Sequence, residues 1–299
     1  MPLYAYGETA LVTLAMLAAG LGTRFGGPKQ FTPVGPSGEC LVHYAIYDAT
    51  QAGFKRFVLI TRPELLGHIE EYVRPLLPPD FMLETVFQQT GEDGQPLGTA
   101  HAIWCCREDI GEPFGVVNGD DYYGQNSYGL LAKHLRQIMP DGSQIVAIPF
   151  PVEETLSPEG GVNRGFCRSA VPGFYSEMIE TYGVQREVDG VIRGKDKDGA
   201  VIEFAEGTPV SMNMFGFVPS VYSQIEDFRR NWVLEHAGRE AGLPDFINAA
   251  IGKGAISVVG EMTDDRWIGM TFPADKKEVT SRLTELHTTG RYPKSLWKV

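Results

Sequence analysis

The chain has 299 residues, 43% of them hydrophobic, and 26 Lys and Arg against 38 Asp and Glu give a formal net charge of −12. This composition supplies enough apolar side chains for a substantial core. So acidic a chain lacks the positive surface that nucleic acids and anionic membranes require, and any phosphate it binds must meet a local positive site.

Two features of the sequence predict a cytoplasmic protein without a membrane span. The apolar run over 9–20 has no basic segment before it, only Glu8 being charged, and it is too short to cross a bilayer. The four cysteines show no CxxC pair and no metal-ligand spacing, so we expect buried free thiols rather than a zinc site.

Short apolar runs alternate with amphipathic stretches in the first half of the chain, which predicts an α/β layer architecture. We expect strands over 11–17, 56–60, 82–87, 114–117 and 144–150. We expect helices over 39–52, 64–76, 99–107 and 128–139. The first and fourth strands are continuous apolar runs, as in strands covered on both faces.

The second half of the chain alternates less regularly. Turn-forming residues over 151–165 predict a long loop, and a strand is expected over 210–218. Helices are expected over 221–236, 244–252 and 275–289. Because no repeat or charged linker occurs, we predict one domain over 1–299, with a core over about 10–218 and a C-terminal helical elaboration over about 219–299.

A glycine-rich segment over 17–34, LAAGLGTRFGGPKQFTPV, follows the first predicted strand directly. It contains Gly20, Gly22, Gly26 and Gly27, with Arg24 and Lys29 interleaved. Glycines allow backbone N–H groups to approach phosphate oxygens closely, and the two basic side chains can neutralise a triphosphate. The segment therefore favours phosphate binding.

Two other interpretations of this segment stay open. The glycines could simply turn the chain between a strand and a helix. The spacing of Gly20, Gly22 and Gly26 also loosely matches a dinucleotide fingerprint. That fingerprint needs a helix starting near Gly22, which Gly27-Pro28 interrupts.

Two carboxylates, Asp120 and Asp121, follow the fourth predicted strand in the sequence VNGDDYYG. Open α/β sheets bind ligands at the carboxyl edge of their strands. Adjacent carboxylates suit Mg²⁺, a hard cation that retains some of its waters. An Asp-Asp turn without function is the alternative.

These motifs resemble the sugar-phosphate nucleotidylyltransferases, whose signature is an apolar strand, then A-A-G-x-G-T-R, then a P-K pair. The resemblance implies a three-layer α/β/α sandwich with a mixed, mainly parallel sheet, of the Rossmann-like GT-A type. It also implies that Lys29, Arg24 and Asp120 are catalytic, with Mg²⁺ at Asp120 and with Asp121 supporting the metal or the substrate. The nucleotide contacts it implies in the loop are Ala19, Gly20, Gly22, Thr23 and Arg24.

Further segments continue the resemblance in the same order. PLGTAHA over 96–102 is similar to the base-recognition turn, which implies nucleotide contacts at Gly98, Thr99 and an upstream glutamine, Gln89 or alternatively Gln88. For the sugar, the resemblance implies contacts at Gly165 in GVNRGFC, at Glu180, and at Asn213 in VSMNMFGF.

The sequence departs from the family at the second metal ligand. The family usually supplies an aspartate or asparagine next to a glycine in a late strand, but Trp267, Ile268, Met270 and Thr271 flank Gly269 here. We therefore hypothesise that Asp265 completes the Mg²⁺ coordination, directly or through a water. A solvated turn formed by Asp264 and Asp265 is the alternative. Asp275 is expected to cap the last helix.

The resemblance implies a reaction between a nucleoside triphosphate and a sugar 1-phosphate that releases pyrophosphate. UTP is favoured, because the PLGTAHA turn resembles the uridylyl- and thymidylyl-transferring branches. Three alternatives stay open: transfer of CMP to a polyol or amino-alcohol phosphate, a nicotinamide-dependent oxidoreductase, and a catalytically silent nucleotide-binding subunit.

Overall fold

The computed structural model describes residues 6–7, 10–22, 25–91, 94–157, 160–169, 171–236, 239–270 and 273–297. The strands are β1 (Thr13–Leu17), β2 (Arg56–Thr61), β3 (Leu83–Phe87), β4 (Phe114–Asn118), β5 (Asp121–Tyr122), β6 (Gln144–Ala147), β7 (Phe150–Pro151), β8 (Val162–Arg168), β9 (Phe174–Tyr175), β10 (Glu177–Arg186), β11 (Ile192–Lys195), β12 (Val201–Phe204), β13 (Pro209–Ser211), β14 (Phe215–Phe217), β15 (Ser257–Val259) and β16 (Ile268–Gly269). The helices are α1 (Leu41–Gln51), α2 (Leu66–His68), α3 (Thr99–Trp104), α4 (Gln125–Gln137), α5 (Val221–Glu235), α6 (Leu243–Gly252) and α7 (Asp275–Thr288).

The main sheet has eight strands in the order β3-β2-β1-β4-β14-β6-β15-β9. The neighbours β3, β2, β1 and β4 are mutually parallel and so are β6 and β15, whereas β14 and β9 run antiparallel to their neighbours. The predicted mixed, mainly parallel sheet is confirmed. Leu17 pairs with Asn118, so the segments that follow β1 and β4 leave the sheet side by side at its carboxyl edge.

Helices cover both faces of the main sheet. In β1, Leu14 and Met16 pack in one cluster with α1 and α4, while Ala15 packs on the opposite face with α3, α5 and α6. This alternation buries both faces, as the continuous apolar run predicts, and the three-layer sandwich is confirmed. The four cysteines are buried and free, as predicted. Among the described helices, none combines the length and apolar character that a membrane crossing requires.

The strands between residues 150 and 211, apart from β9, form a second sheet that the sequence did not predict. Its six antiparallel strands have the order β12-β11-β10-β8-β13-β7. Its small core consists of Val152, Val184, Ile192, Phe204 and Val210. The predicted loop over 151–165 is wrong, because this stretch contains a 3₁₀ turn at Val152–Thr155 and the beginning of β8. The turn-forming residues are real, but Asn163, Arg164 and Gly165 interrupt the apolar pattern at the beginning of β8 and conceal it.

The single strand predicted over 210–218 is two strands in different sheets. β13 ends at Ser211 in the second sheet, and β14 begins at Phe215 in the main sheet. Between them Asn213 has φ 61°, and it is the one non-glycine residue with positive φ in the described part of the chain. Phe215 pairs with Ala147, so the chain leaves the main sheet after β6 and returns beside it after residues 148–214.

The C-terminal part of the chain contributes both to the main sheet and to its covering. β15 pairs with β6, and α7 packs through Leu283 against a cluster that includes Tyr44 of α1 and Tyr122 of β5. Asp275 is the first residue of α7, which corrects its predicted capping role, since Ala274 occupies the N-cap. A single domain with a core ending near residue 218 stays a prediction.

Candidate active site

The glycine-rich loop lies at the carboxyl end of β1 and needs glycine for a specific reason. Gly22 has φ 60°, and a Cβ on Gly22 would overlap the carbonyl oxygen of Gly27. The amides of Phe25, Gly26 and Gly27 all donate to the carbonyl of Gly22, at 2.9, 2.9 and 3.1 Å. The loop therefore turns tightly about Gly22, a conformation that an L-residue with a side chain could not adopt without strain.

Gln30 holds the beginning of the same loop. Its side chain is 2% exposed, and Nε2 donates to the carbonyls of Ala18 at 3.0 Å and Gly20 at 2.8 Å. This buried amide fixes the loop at its departure from the sheet. Thr23 and Arg24, which the sequence assigns to the nucleotide, lie outside the described residues.

Lys29 and Asp120 form an ion pair at the edge of the sheet. Lys29 Nζ lies 2.6 Å from Asp120 Oδ2 and donates to the carbonyl of Met270, also at 2.6 Å. Burial on its own lowers the pKa of Lys29, but the carboxylates of Asp120, Asp121 and Asp275 outweigh that effect and the net pKa is raised. Lys29 is therefore a cation at neutral pH.

Asp121 is buried directly behind this pair. Its Oδ2 accepts hydrogen bonds from Asn118 Nδ2 at 2.8 Å and from the Tyr123 hydroxyl at 3.3 Å. Burial raises the pKa of Asp121, and the neighbouring charge of Asp120 raises it further. In β5, Asp121 pairs with Gly269 of β16, so the late glycine that the sequence singles out does lie beside the acidic pair.

One cavity of about 250 Å³ brings the predicted substrate residues together. It is lined by Lys29, Asn118, Asp121, Asn163, Arg164, Gly165, Met178, Glu180, Ser211, Met212, Asn213, Pro244, Trp267 and Met270. All four predicted substrate contacts (Asp121, Gly165, Glu180 and Asn213) are among them, together with Lys29. Their contact with a substrate stays a prediction, but their convergence across both sheets is observed.

The second sheet forms the far wall of this cavity. Gly165 of β8 pairs with Glu180 of β10 on one side and with Ser211 of β13 on the other. Burial raises the pKa of Glu180, with Asp245 adding to the increase and Arg164 opposing it. Three adjacent strands thus place a small residue, a carboxylate and a hydroxyl in one row.

The predicted base-recognition turn packs against the segment that precedes α6. A Cβ on Gly98, whose φ is 101°, would overlap the backbone of Ala241, and the Thr99 hydroxyl accepts a hydrogen bond from the Leu243 amide at 2.8 Å. Packing against the segment before α6 is therefore sufficient to require glycine at position 98. Gln89 is exposed just after β3, and its assignment to the base stays a prediction.

Asp265 has a different environment from the one hypothesised. Its Oδ2 accepts from the Ser127 amide at 2.9 Å and hydroxyl at 3.2 Å in the first turn of α4, and Oδ1 lies 3.7 Å from Arg291. Across the described residues, no group of three or more His, Cys, Asp and Glu side chains converges as a metal site. The geometry gives Asp265 a helix-capping role and does not support its assignment to the metal.

Several residues of the site were not predicted from the sequence. They are Gln30, Asn118, Arg164, Trp267 and Met270. Met270 contributes only a backbone carbonyl, and the position of Arg164 depends on a sheet that no local pattern reveals. The stretch around Gly269 can be identified from the sequence, but only as a possible source of a carboxylate ligand for the metal.

The fold and this site define a class of protein. Residues 14–151 match the MobA-like NTP transferase domain. That match covers β1 to β7, including the glycine-rich loop, the Lys29–Asp120 pair and the acidic strand end. Residues 14–151 thus resemble a nucleotidyltransferase domain, and the predicted resemblance to the sugar-phosphate enzymes is confirmed.

The chain is similar to a particular curated enzyme, the UTP–glucose-1-phosphate uridylyltransferase of Bacillus subtilis (strain 168), at 28% identity over 240 residues, which is 70% of this chain and 72% of that one. The inositol-1-phosphate CTP transferase from T. maritima shares the fold with TM-score 0.62 at 17% identity, over 92% of this chain and 97% of that chain. A UDP-glucose pyrophosphorylase from Acinetobacter baumanii aligns with TM-score 0.54 at 17% identity, over 95% of both chains.

Proposed function

We propose that this protein is a cytoplasmic, Mg²⁺-dependent enzyme that joins a nucleoside triphosphate, with UTP favoured, to a sugar 1-phosphate and releases pyrophosphate. The observation that carries the proposal is the single cavity in which Lys29 and Asp121 meet Gly165, Glu180 and Asn213. The similarity to a UTP–glucose-1-phosphate uridylyltransferase supports UTP and glucose 1-phosphate as the first pair to test.

The loop and Lys29 supply the nucleotide side of the site. The amides of Gly20, Leu21 and Gly22 donate to no other group among the described residues, so they are available to phosphate oxygens. Lys29 uses one N–H for Asp120 and one for Met270, which leaves the third ammonium hydrogen for a phosphate oxygen. Arg24, three residues beyond Leu21, is proposed to neutralise the β- and γ-phosphates.

Nucleotidyltransferases of this type use a divalent metal ion, and the acidic pair fits Mg²⁺. Asp120 and Asp121 place two carboxylates beside a single paired lysine, and the charge of Asp120 adds to the effect of burial in raising the pKa of Asp121. Mg²⁺ is bound through one or two carboxylates together with waters and substrate phosphates, so a cluster of three acidic side chains is not required. When bound, the ion would supply charge neutralisation and orientation of the phosphates.

The chemistry needs no general base from the protein. A phosphate monoester has a second pKa of about 6, so the acceptor oxygen is already largely anionic at neutral pH. That oxygen forms a bond to the α-phosphorus while the bond from the α-phosphorus to the departing pyrophosphate breaks. The barrier lies in bringing two anions together, and the cationic Lys29 lowers it by neutralising charge at the point of transfer.

The test is pyrophosphate release from each of UTP, CTP, dTTP, ATP and GTP with Mg²⁺ and a panel of acceptor phosphates. The expected result is release that depends on both UTP and glucose 1-phosphate. Release with CTP and a polyol phosphate would support the cytidylyltransferase alternative. NADH binding as tight as UTP binding, or no pyrophosphate with any pair, would overturn the proposal.

A further inference from the structure

Arg164 of β8 is a buried cation that the mechanism above does not use. The residue is 7% exposed and lines the 250 Å³ cavity beside Glu180 and Trp267. It also lines a second, larger cleft of about 900 Å³ that extends towards α7, and Asn163 and Trp267 are shared by the two spaces. Arg164 therefore lies where the acceptor cavity opens into that cleft.

The guanidinium is fixed on one side only. Nε donates to the Thr155 hydroxyl at 3.0 Å, Nη1 donates to the Asn163 carbonyl at 2.7 Å, and Nη2 donates to the Thr155 carbonyl. The plane lies over the Trp267 ring, with Cζ 4.7 Å from the ring centroid. Three of its five N–H groups are thereby used, and its position is set by a buried hydroxyl, two carbonyls and an indole.

The charge of Arg164 is not compensated by an ion pair. Within the described part of the chain, no carboxylate forms an ion pair with it, although Asp121 and Glu180 lie close enough to act on its charge. Burial lowers the pKa of Arg164 to about 10, which still leaves it cationic at neutral pH. Buried charges are normally paired or occupied by a ligand, and the neighbouring exposed Arg168 is paired, at 3.0 Å from Glu177.

We propose that Arg164 binds an oxyanion of the acceptor substrate, with its two remaining N–H groups donating to that oxyanion. The inference rests on the proposed function, because it takes the smaller cavity to be the acceptor pocket. Two sources of the oxyanion share this chemistry: the reacting phosphate itself, and a second acidic group on the acceptor that reaches towards the larger cleft.

The experiment compares Arg164→Gln and Arg164→Lys with Arg168→Gln, a control in the same strand. For each, the KM for UTP, for glucose 1-phosphate and for glucuronic acid 1-phosphate is measured, together with thermal melting and calorimetric binding of glucose 1-phosphate. We expect Arg164→Gln to raise an acceptor KM on the order of 10- to 100-fold and to leave the UTP KM unchanged. Arg164→Lys should recover part of the loss, and Arg168→Gln should match the wild type.

The two acceptors distinguish the two sources. An equal rise for both assigns the oxyanion to the reacting phosphate, and a rise confined to the uronate assigns it to a second acidic group. Unchanged acceptor KM values, or an equal rise in the UTP KM, would overturn the inference. If the wild type releases no pyrophosphate, the proposed function fails. Calorimetry then tests this contact separately: weaker binding of glucose 1-phosphate to folded Arg164→Gln than to Arg168→Gln supports it, and equal binding overturns it.

Discussion

The two sheets contribute to the site by different means. At the edge of the main sheet, backbone groups stand beside the Lys29–Asp120 pair: the amides of Gly20 to Gly22, the carbonyls held by Gln30, and the Met270 carbonyl that accepts from Lys29. The second sheet presents side chains from adjacent strands, namely Arg164, Glu180 and Ser211.

Under the proposed function, the difference reflects what each half would recognise. Every nucleoside triphosphate carries the same phosphates, which backbone amides in one tight loop can bind, so a short local pattern suffices. An acceptor is distinguished by the positions of its hydroxyls and charges, which need side chains brought together from distant strands. The glycine-rich loop is therefore visible as a local pattern, whereas Gly165, Glu180 and Asn213 were assigned only through the family resemblance and Arg164 was not assigned at all.

Asp120→Asn should have the largest effect on activity, because Asp120 lies where the proposed nucleotide and acceptor sites meet. We expect kcat to fall by about 10³-fold, since the change removes both the carboxylate proposed for Mg²⁺ and the partner of Lys29. Steady-state pyrophosphate release measures this. Asp264→Asn is the control, because Asp264 is exposed and its side chain accepts a hydrogen bond from Asn126, at 2.9 Å. Near-wild-type turnover in Asp120→Asn would remove it from the mechanism.

Lys29→Ala should give the next largest effect. We expect kcat to fall by about 10²-fold with a smaller rise in the UTP KM, because the ammonium acts where charge develops during transfer. Arg24→Ala should show the opposite pattern, weaker UTP binding with a smaller change in kcat. One UTP titration of each variant gives its kcat and its UTP KM and so checks the assignment. If Arg24→Ala lowers kcat and Lys29→Ala weakens UTP binding, the two roles are exchanged.

Substitutions of Asn213 test the proposed acceptor site, because the effect of its backbone conformation can be separated from the effect of its side chain. Asn213→Gly accommodates φ 61° without strain and removes the amide from the cavity, whereas Asn213→Ala removes the amide and keeps the strain. We expect both to raise the glucose 1-phosphate KM, and only the alanine variant to lose about 1 kcal/mol of unfolding free energy. Equal acceptor KM values in wild type and both variants would make Asn213 a purely structural residue.

Two glycine substitutions separate folding from phosphate binding in the nucleotide half. Gly22→Ala should lower the unfolding free energy by about 1–3 kcal/mol, because the backbone conformation and the Gly27 carbonyl exclude a Cβ. Gly20→Ala should leave thermal stability unchanged, since a Cβ there has nothing within 4 Å, yet it should raise the UTP KM by crowding a bound phosphate. An unchanged UTP KM in Gly20→Ala would place the phosphates elsewhere.

Asp265→Ala should give the smallest effect on catalysis. The capping geometry predicts a loss of about 1 kcal/mol of unfolding free energy with unchanged dependence on Mg²⁺ concentration, because Ser127 loses its acceptor. The hypothesis drawn from sequence predicts the reverse, a higher Mg²⁺ requirement. Titrating Mg²⁺ against activity in this variant, with Asp264→Ala beside it, decides between the two.

Local patterns sufficed for β1 to β4 and β6 of the main sheet, whereas β9 and β15 were not predicted. Asp120 and Asp121 could be singled out because they follow an apolar strand, and Lys29 because it belongs to the glycine-rich loop. The division of 210–218 between two sheets was not predicted, because an apolar run does not show that the chain turns at Asn213 from one sheet into the other. Arg164 escaped because its burial depends on Thr155 and Trp267, which are distant from each other in sequence.

The pairing of Ala147 with Phe215 has a consequence for recombining such enzymes. Register partners in an antiparallel pair lie about 5 Å apart, so the chain enters and leaves residues 148–214 at nearly the same point. A transplanted segment from a relative could therefore be joined there without moving the nucleotide loop. The graft must keep its attachments to the rest of the chain, among them the pairing of β9 with β15, the bonds between Met178 and Asn248 and the bond from the Tyr123 hydroxyl to the Met212 carbonyl. Under the proposed function, much of the acceptor site would then be exchangeable as one continuous piece of coding sequence.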